Sequence, residues 1–259
     1  MIICMTFSVL FWNVWLDNEI NGEHNSGKLL KELKRLIDAH KPDYIGLNEV
    51  LQDKNSSQPF ILDFLKTCGY KYGFFALASP LNDDWLIGAG FCSRTKPLSI
   101  KAVPISKDTP AERRGCKGFE LKAIVAQMEL NKGNSISIVV AHPMHLRPYT
   151  IKDHYQGTKT LENLVRKELP KNALVVGDFN EPGFMPKAFK NSVNDIMHMR
   201  TGTIRNATWH HKANPKTLIR ANLDQLYWSK DSNYELKSFE VINSDVSDHR
   251  PILARFAYK

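Results

Sequence analysis

Apolar positions along the chain follow two rhythms. Phe7-Ser8-Val9-Leu10-Phe11-Trp12-Asn13-Val14 is a β-branched and aromatic run of the kind that fills a buried strand. Leu29, Leu30, Leu33, Leu36 and Ile37 instead recur at helical spacing, with Lys31, Glu32, Lys34 and Arg35 on the other face and Pro42 past the end. That pattern predicts an amphipathic helix. Asp43–Val50 then reads as a short buried strand ending in an acid, and a second helix is expected around Phe60–Leu65. Strand-like stretches follow at Tyr70–Leu77, Gly88–Ser93, Phe119–Leu130 and Ile136–Ala141. Thr150 and Asp153 make a capping-box-like start for a helix carrying Leu161, Leu164, Val165 and Leu169, which Pro170 terminates. Ala173–Val176 is a further buried strand running into Gly177-Asp178-Phe179-Asn180, and later strands are expected at Asn222–Trp228, Tyr234–Val241 and Ile252–Phe256.

Strands outnumber helices in this reading, and several follow one another without an intervening helix. A purely parallel doubly wound sheet fits that order poorly. The expected architecture is a four-layer α/β sandwich, two packed mixed β-sheets flanked by helices. Neither an internal repeat nor a Gly/Ser- or Pro-rich linker divides the sequence, so residues 1–259 read as a single domain.

With 259 residues, 42% apolar and 24% charged, the chain has enough apolar material for a sizeable core, which excludes disordered, collagen-like and coiled-coil classes. Met1–Leu16 carries no charge, yet it lacks the basic start of a secretory signal and is shorter than the roughly 20 apolar residues of a membrane span. A cytoplasmic protein without a membrane span is expected. Cys4, Cys68, Cys92 and Cys116 are too widely spaced for zinc-ribbon or thioredoxin-type motifs and are expected to be reduced, mostly buried thiols. Against 27 Asp and Glu stand 35 Lys and Arg, a net charge of +8. Such an excess suits a polyanionic partner, either nucleic acid or a phosphorylated small molecule, although it also serves solubility alone.

The informative residues stand where apolar strands end: Asn13, Glu49, His142, then Asp178 with Asn180. Asp224 opens a late strand, and Asp248 with His249 precedes the last one. Polar groups at strand ends are held by a rigid scaffold while remaining accessible. Four carboxylates, Glu49, Asp178, Asp224 and Asp248, would raise one another's pKa values if gathered without a counter-charge. A divalent cation resolves this, and carboxylate with amide oxygen donors select Mg²⁺ or Mn²⁺ over zinc. Histidines beside them supply proton transfer. His142 and His145 are three apart, but Pro143 between them opposes a helix that would present both to a zinc ion.

Trp12-Asn13-Val14, Leu47-Asn48-Glu49, Gly177-Asp178-Phe179-Asn180, Leu223-Asp224-Gln225-Leu226 and Ser247-Asp248-His249-Arg250-Pro251 resemble, in order, the signature blocks of the endonuclease/exonuclease/phosphatase superfamily of DNase I-like phosphoesterases. The resemblance implies the DNase I-like sandwich and metal-dependent phosphoester hydrolysis. It makes Glu49 the principal metal ligand, with Asn13 and Asp248 helping to hold metal and phosphate. His249, oriented by Asp224, becomes the general base or the electrostatic clamp at the scissile phosphate. Asp178 positions or activates the attacking water, Asn180 hydrogen-bonds phosphate oxygens, and a second histidine supports the leaving oxygen. Ala141-His142-Pro143-Met144-His145-Leu146 departs from the usual Thr-His-Leu, which leaves His142 and His145 both in view; His142 is preferred because it falls at the strand end.

A Mg²⁺- or Mn²⁺-dependent phosphodiester hydrolase follows, with nucleic acid as first choice of substrate and a small phosphoester or lipid head group as the alternative; a monomer is expected. A non-catalytic scaffold would not need Asn13, Glu49, Asp178, Asn180, Asp224 and His249 together. Arg113, Arg114 and Lys117 form either a solvated turn or a phosphate-binding rim, and Trp15 and Trp209 either pack or stack on a base or sugar. His24, His210 and His211 read as solvated loop residues.

Overall fold

The computed structural model describes residues 6–14, 26–80, 84–106, 120–131, 133–143, 151–169, 171–181, 188–203, 206–210 and 220–259. Cys4, Trp15, His24, Arg113, Arg114, Cys116, Lys117, His145, Thr150, Pro170 and His211 lie outside them. The first half runs β1 (Thr6–Asn13), α1 (Ser26–His40), β2 (Tyr44–Asp53), α2 (Phe60–Thr67), β3 (Tyr72–Pro80), β4 (Trp85–Ser93), β5 (Ser99–Pro104), β6 (Lys122–Asn131) and β7 (Asn134–Ala141). The second half runs α3 (Ile151–Lys167), β8 (Ala173–Asp178), α4 (Ala188–Val193), β9 (Met197–Thr201), β10 (Trp209–His210), β11 (Arg220–Ala221), β12 (Asp224–Ser229), β13 (Tyr234–Val241) and β14 (Ile252–Tyr258).

Two six-stranded mixed sheets result, with orders β13-β14-β1-β2-β4-β3 and β5-β6-β7-β8-β12-β9, and β10 pairs with β11 apart from them. The expected sandwich is therefore present. Each large sheet carries one parallel pair at its centre, β1 with β2 and β7 with β8, and the remaining pairs are antiparallel. A parallel pair needs a crossover, and α1 and α3 supply it.

Strand periodicity explains the layers. Phe7, Val9 and Phe11 of β1 point into a core shared with Ile124, Ala126, Ile138, Val140, Leu174 and Val176 of the opposite sheet. Leu10 and Trp12 of the same strand face outward, where Leu29, Leu33, Leu36 and Ile37 of α1 and Ile61, Leu62 and Leu65 of α2 cover them. On the far side, Val139, Ala141 and Val175 lie under Leu161, Leu164 and Val165 of α3 and Phe189 of α4. The central strands are buried on both faces, which is why they read as near-continuous apolar runs. At Gly46 the sheets approach so closely that a Cβ would stand 2.8 Å from Val140 Cγ2.

Boundaries moved modestly. The helix expected to run to Leu169 ends at Lys167, and the strand expected from Asn222 starts at Asp224. His210 belongs to the short strand β10 rather than to a loop. Of the cysteines, Cys92 is buried and Cys68 half-buried, both as free thiols.

Candidate active site

The two parallel pairs deliver their C-terminal ends to one place. Asn13 is the last residue of β1, Glu49 lies in β2, His142 follows β7 directly and Asp178 ends β8. Asp224 opens β12 opposite Asp178 in the antiparallel register. Two local departures aim the side chains. Between Leu47 and Val50 the register with β4 slips by one residue, and Glu49 within this bulge has φ 57°. Asn180 has φ 49°; with Lys41 these are the only non-glycine residues at positive φ among those described. Backbone this unusual persists only where surrounding structure enforces it. Gly177 must be glycine, since any Cβ there would run into the Ala141 carbonyl of the neighbouring strand. That carbonyl also accepts a hydrogen bond from Asn48 Nδ2 at 2.9 Å.

At the centre, the Asn13 side-chain amide donates to Glu49 Oε1 at 2.9 Å and to Asp178 Oδ2 at 3.0 Å. Its two N–H bonds hold two carboxylates side by side. His142 Nε2 lies 3.5 Å from Glu49 Oε1, 3.6 Å from Asp178 Oδ2 and 3.2 Å from Asn180 Nδ2. On the other side, His249 Nε2 is 3.6 Å from Asp178 Oδ2 and its Nδ1 is 2.9 Å from Asp224 Oδ2. The Asn180 backbone N–H donates to Asp178 Oδ1 at 2.9 Å. Glu49 and His142 side chains are 17% and 18% exposed, whereas Asp178 and Asp224 are 1% and 0%. A ligand would therefore enter on the Glu49 and His142 side.

Burial and charge pull these groups apart in pKa. Burial raises Glu49 above the ordinary carboxylate value, against the opposing pull of His142 and the Asn13 amide. Burial works against ionised Asp178 too, but His249, His142 and the Asn180 N–H hold it well below the usual carboxylate range. Asp224 is raised to about 6, chiefly by burial. His249 is raised to about 10, because Asp224 and Asp178 outweigh the burial that disfavours its charged form. At neutral pH the proton of the Asp224–His249 pair sits on the imidazole. In His142, contact with Asp178 and Glu49 likewise outweighs burial and raises the pKa.

A frame of hydrogen bonds fixes the Ser247–His249 turn. Ser247 Oγ donates to the Asn13 carbonyl at 2.9 Å and accepts from the His249 N–H at 3.1 Å, and Trp12 Nε1 donates to the His249 carbonyl at 3.0 Å. Thr208 Oγ1 accepts from the Asp224 N–H at 3.0 Å. Trp209 Nε1 donates to Asp248 Oδ2 at 3.0 Å. Neither Thr208 nor this use of Trp209 was visible in the sequence, since both partners are remote and no periodic pattern marks them.

Seven of the eight residues singled out in the sequence thus touch one another. Glu49, His142 and Asp178 form one group with ligand atoms within 4.8 Å of one another, Asp178, Asp224 and His249 form a second, and Asp248 belongs to neither. Carboxylates and an imidazole at that spacing could hold a metal ion.

The sequence matches the Endonuclease/Exonuclease/phosphatase family over residues 10–249. No curated protein matches it. Among solved structures, an endonuclease/exonuclease/phosphatase from Beutenbergia cavernae superposes with a TM-score of 0.72 at 15% identity, covering 98% of this chain and 72% of that one. TDP2 of D. rerio, solved with a single-strand DNA product, gives 0.68 at 16% identity over 97% of this chain and 98% of that one. ANGEL2, described as a 2',3'-cyclic phosphatase, gives 0.70 at 14% identity over 99% and 96%. Identities this low speak to the fold, and the family match spans almost the whole sequence. The chain belongs to the endonuclease/exonuclease/phosphatase family, whose members are phosphoesterase hydrolases.

Proposed function

We propose that the protein hydrolyses phosphodiester bonds with the help of Mg²⁺ or Mn²⁺ and that its substrate is nucleic acid. The observation that carries this reading is the Asn13 amide clasping Glu49 and Asp178 between two imidazoles. An ion held by Glu49, with Asn13 and Asp248 assisting, would offset charge on the non-bridging phosphate oxygens. Asp178, kept ionised by its neighbours, orients the attacking water and accepts its proton. His249, protonated and held by Asp224, meets the charge that develops on the phosphate. On the open side, His142 faces the leaving oxygen, and Asn180 Nδ2 beside it donates to a phosphate oxygen.

The +8 charge favours a polyanion, and a fold neighbour solved with single-strand DNA product supports nucleic acid. The neighbour described as a cyclic phosphatase supports the second reading, a smaller phosphoester. DNA and RNA oligonucleotides and bis-p-nitrophenyl phosphate, incubated with Mg²⁺ or Mn²⁺, separate the two. Nucleotide release that EDTA, Asp178→Asn and His249→Ala each abolish is the expected result. Turnover of small esters alone would move the assignment to the second reading, and turnover that survives EDTA would remove the metal from it.

A further inference from the structure

We infer that Trp209 is a positioning residue that acts through Asp248, its indole N–H fixing the carboxylate that the Ser247–His249 turn carries next to His249 and that is proposed above to assist the ion. This rests on the divalent-cation reading proposed above. Among the described residues, two side-chain donors reach the Asp248 carboxylate. Trp209 Nε1 reaches Oδ2 at 3.0 Å, while Ser247 Oγ stands 3.4 Å from Oδ1 and is already committed to the Asn13 carbonyl at 2.9 Å. The indole is therefore the stronger of the two constraints.

The placement of the indole is itself fixed by backbone. Trp209 bridges His249 in antiparallel fashion, and the Arg250 N–H donates to the Thr208 carbonyl at 2.7 Å. One residue earlier, Thr208 holds the Asp224 N–H. A segment of two residues thus braces both the acid that orients His249 and the acid beside it. Trp209 is half-buried, at the edge of the structure rather than in its core. Partners of this kind outside the ligand shell set metal affinity by fixing where the donors point.

The test is Mn²⁺ binding to the full chain, read from the resonance of the free ion and from the rise in Tm that Mn²⁺ produces. Trp209→Phe keeps an aromatic ring and deletes the N–H. It should weaken Mn²⁺ about tenfold or more and shrink the metal-induced rise in Tm, with the metal-free Tm close to wild type. In an Asp248→Ala background the same substitution should change nothing further, because its route is gone. Trp209→His, which restores a ring N–H, should bind Mn²⁺ more tightly than Trp209→Phe. Unaltered affinity in Trp209→Phe, an equal loss with and without Asp248, or a Trp209→Phe protein that does not fold would each overturn the inference. Absence of Mn²⁺ binding by the wild-type chain would instead remove the divalent-cation reading as well.

Discussion

His249 Nδ1 and Asp224 Oδ2 stand 2.9 Å apart with both residues buried, and the opposite ring nitrogen of His249 faces Asp178. A buried carboxylate at one ring nitrogen fixes which face of the imidazole meets the reaction centre and keeps that ring charged. The role proposed for His249 thus depends on a residue that is itself fully buried.

Asp224→Asn tests that dependence with almost no change of shape. The amide cannot balance an imidazolium, so phosphodiester hydrolysis should fall by about 10²- to 10⁴-fold. Far-UV circular dichroism should stay that of the wild type. Steady-state kinetics on an oligonucleotide checks it, and a variant within threefold of wild type would break the pairing argument.

How much of this could be read from the sequence depended on burial. Phe7–Val14 and Ala173–Val176 were legible because the central strands of both sheets are covered on two faces, and α1 because Leu29, Leu33, Leu36 and Ile37 make a single stripe. The peripheral β5 and β9, whose residues are mostly exposed or half-buried, and the six-residue α4 gave too little periodic signal to be anticipated. Site residues were legible as types at strand ends. Their convergence was not, because the Asn13–Asp178 hydrogen bond spans 165 residues and joins β1 of one sheet to β8 of the other, which only the packing of the two sheets brings together. Neither the bulge that aims Glu49 nor the brace from Thr208 leaves a local mark.

The raised pKa of His249 carries a stability consequence in metal-free protein. An unfolded histidine titrates near 6.5 and the folded one near 10, so the stabilisation is complete below about pH 6.5 and is lost as pH rises through about 10. His142 is shifted in the same direction, and Tyr70, pushed up to about 12, titrates above this window. Unfolding free energies from urea titrations in chelator between pH 6.5 and 9.5 should fall, by at most about 1.4 kcal/mol per pH unit for each proton. The fall should be shallower in Asp224→Asn. A flat or rising profile would contradict the charged-imidazole assignment.

Two glycines separate sheet packing from site geometry. In Gly46→Ala the new methyl meets the end of the Val140 side chain at 2.8 Å, which repacking absorbs for about 1–3 kcal/mol. In Gly177→Ala it meets the Ala141 backbone, which cannot move without shifting His142 next to it. Gly177→Ala should therefore cost more stability and also lower activity at saturating metal, whereas Gly46→Ala should keep its activity. Denaturant unfolding and kinetics on both variants decide, and the reverse ranking would refute this view of the β7–β8 contact.

Asn13 offers the sharpest test of why the two carboxylates tolerate each other. Its two N–H bonds go to Glu49 and Asp178, so Asn13→Ala leaves both acids short of a donor and should cost about 1–3 kcal/mol without metal. Asn13→Asp goes further, replacing donors by a third acid against two carboxylates already held within hydrogen-bonding reach of position 13. Without metal it should be the less stable of the two variants. A divalent cation reverses the sign of that crowding, since each added carboxylate then faces positive charge. The Tm of Asn13→Asp should accordingly rise more on adding Mn²⁺ than that of Asn13→Ala. Thermal melts in chelator and in Mn²⁺ provide the comparison. Equal metal-free stabilities, or an Mn²⁺ response larger in Asn13→Ala, would mean that repulsion between Glu49 and Asp178 is not what the amide and the ion relieve.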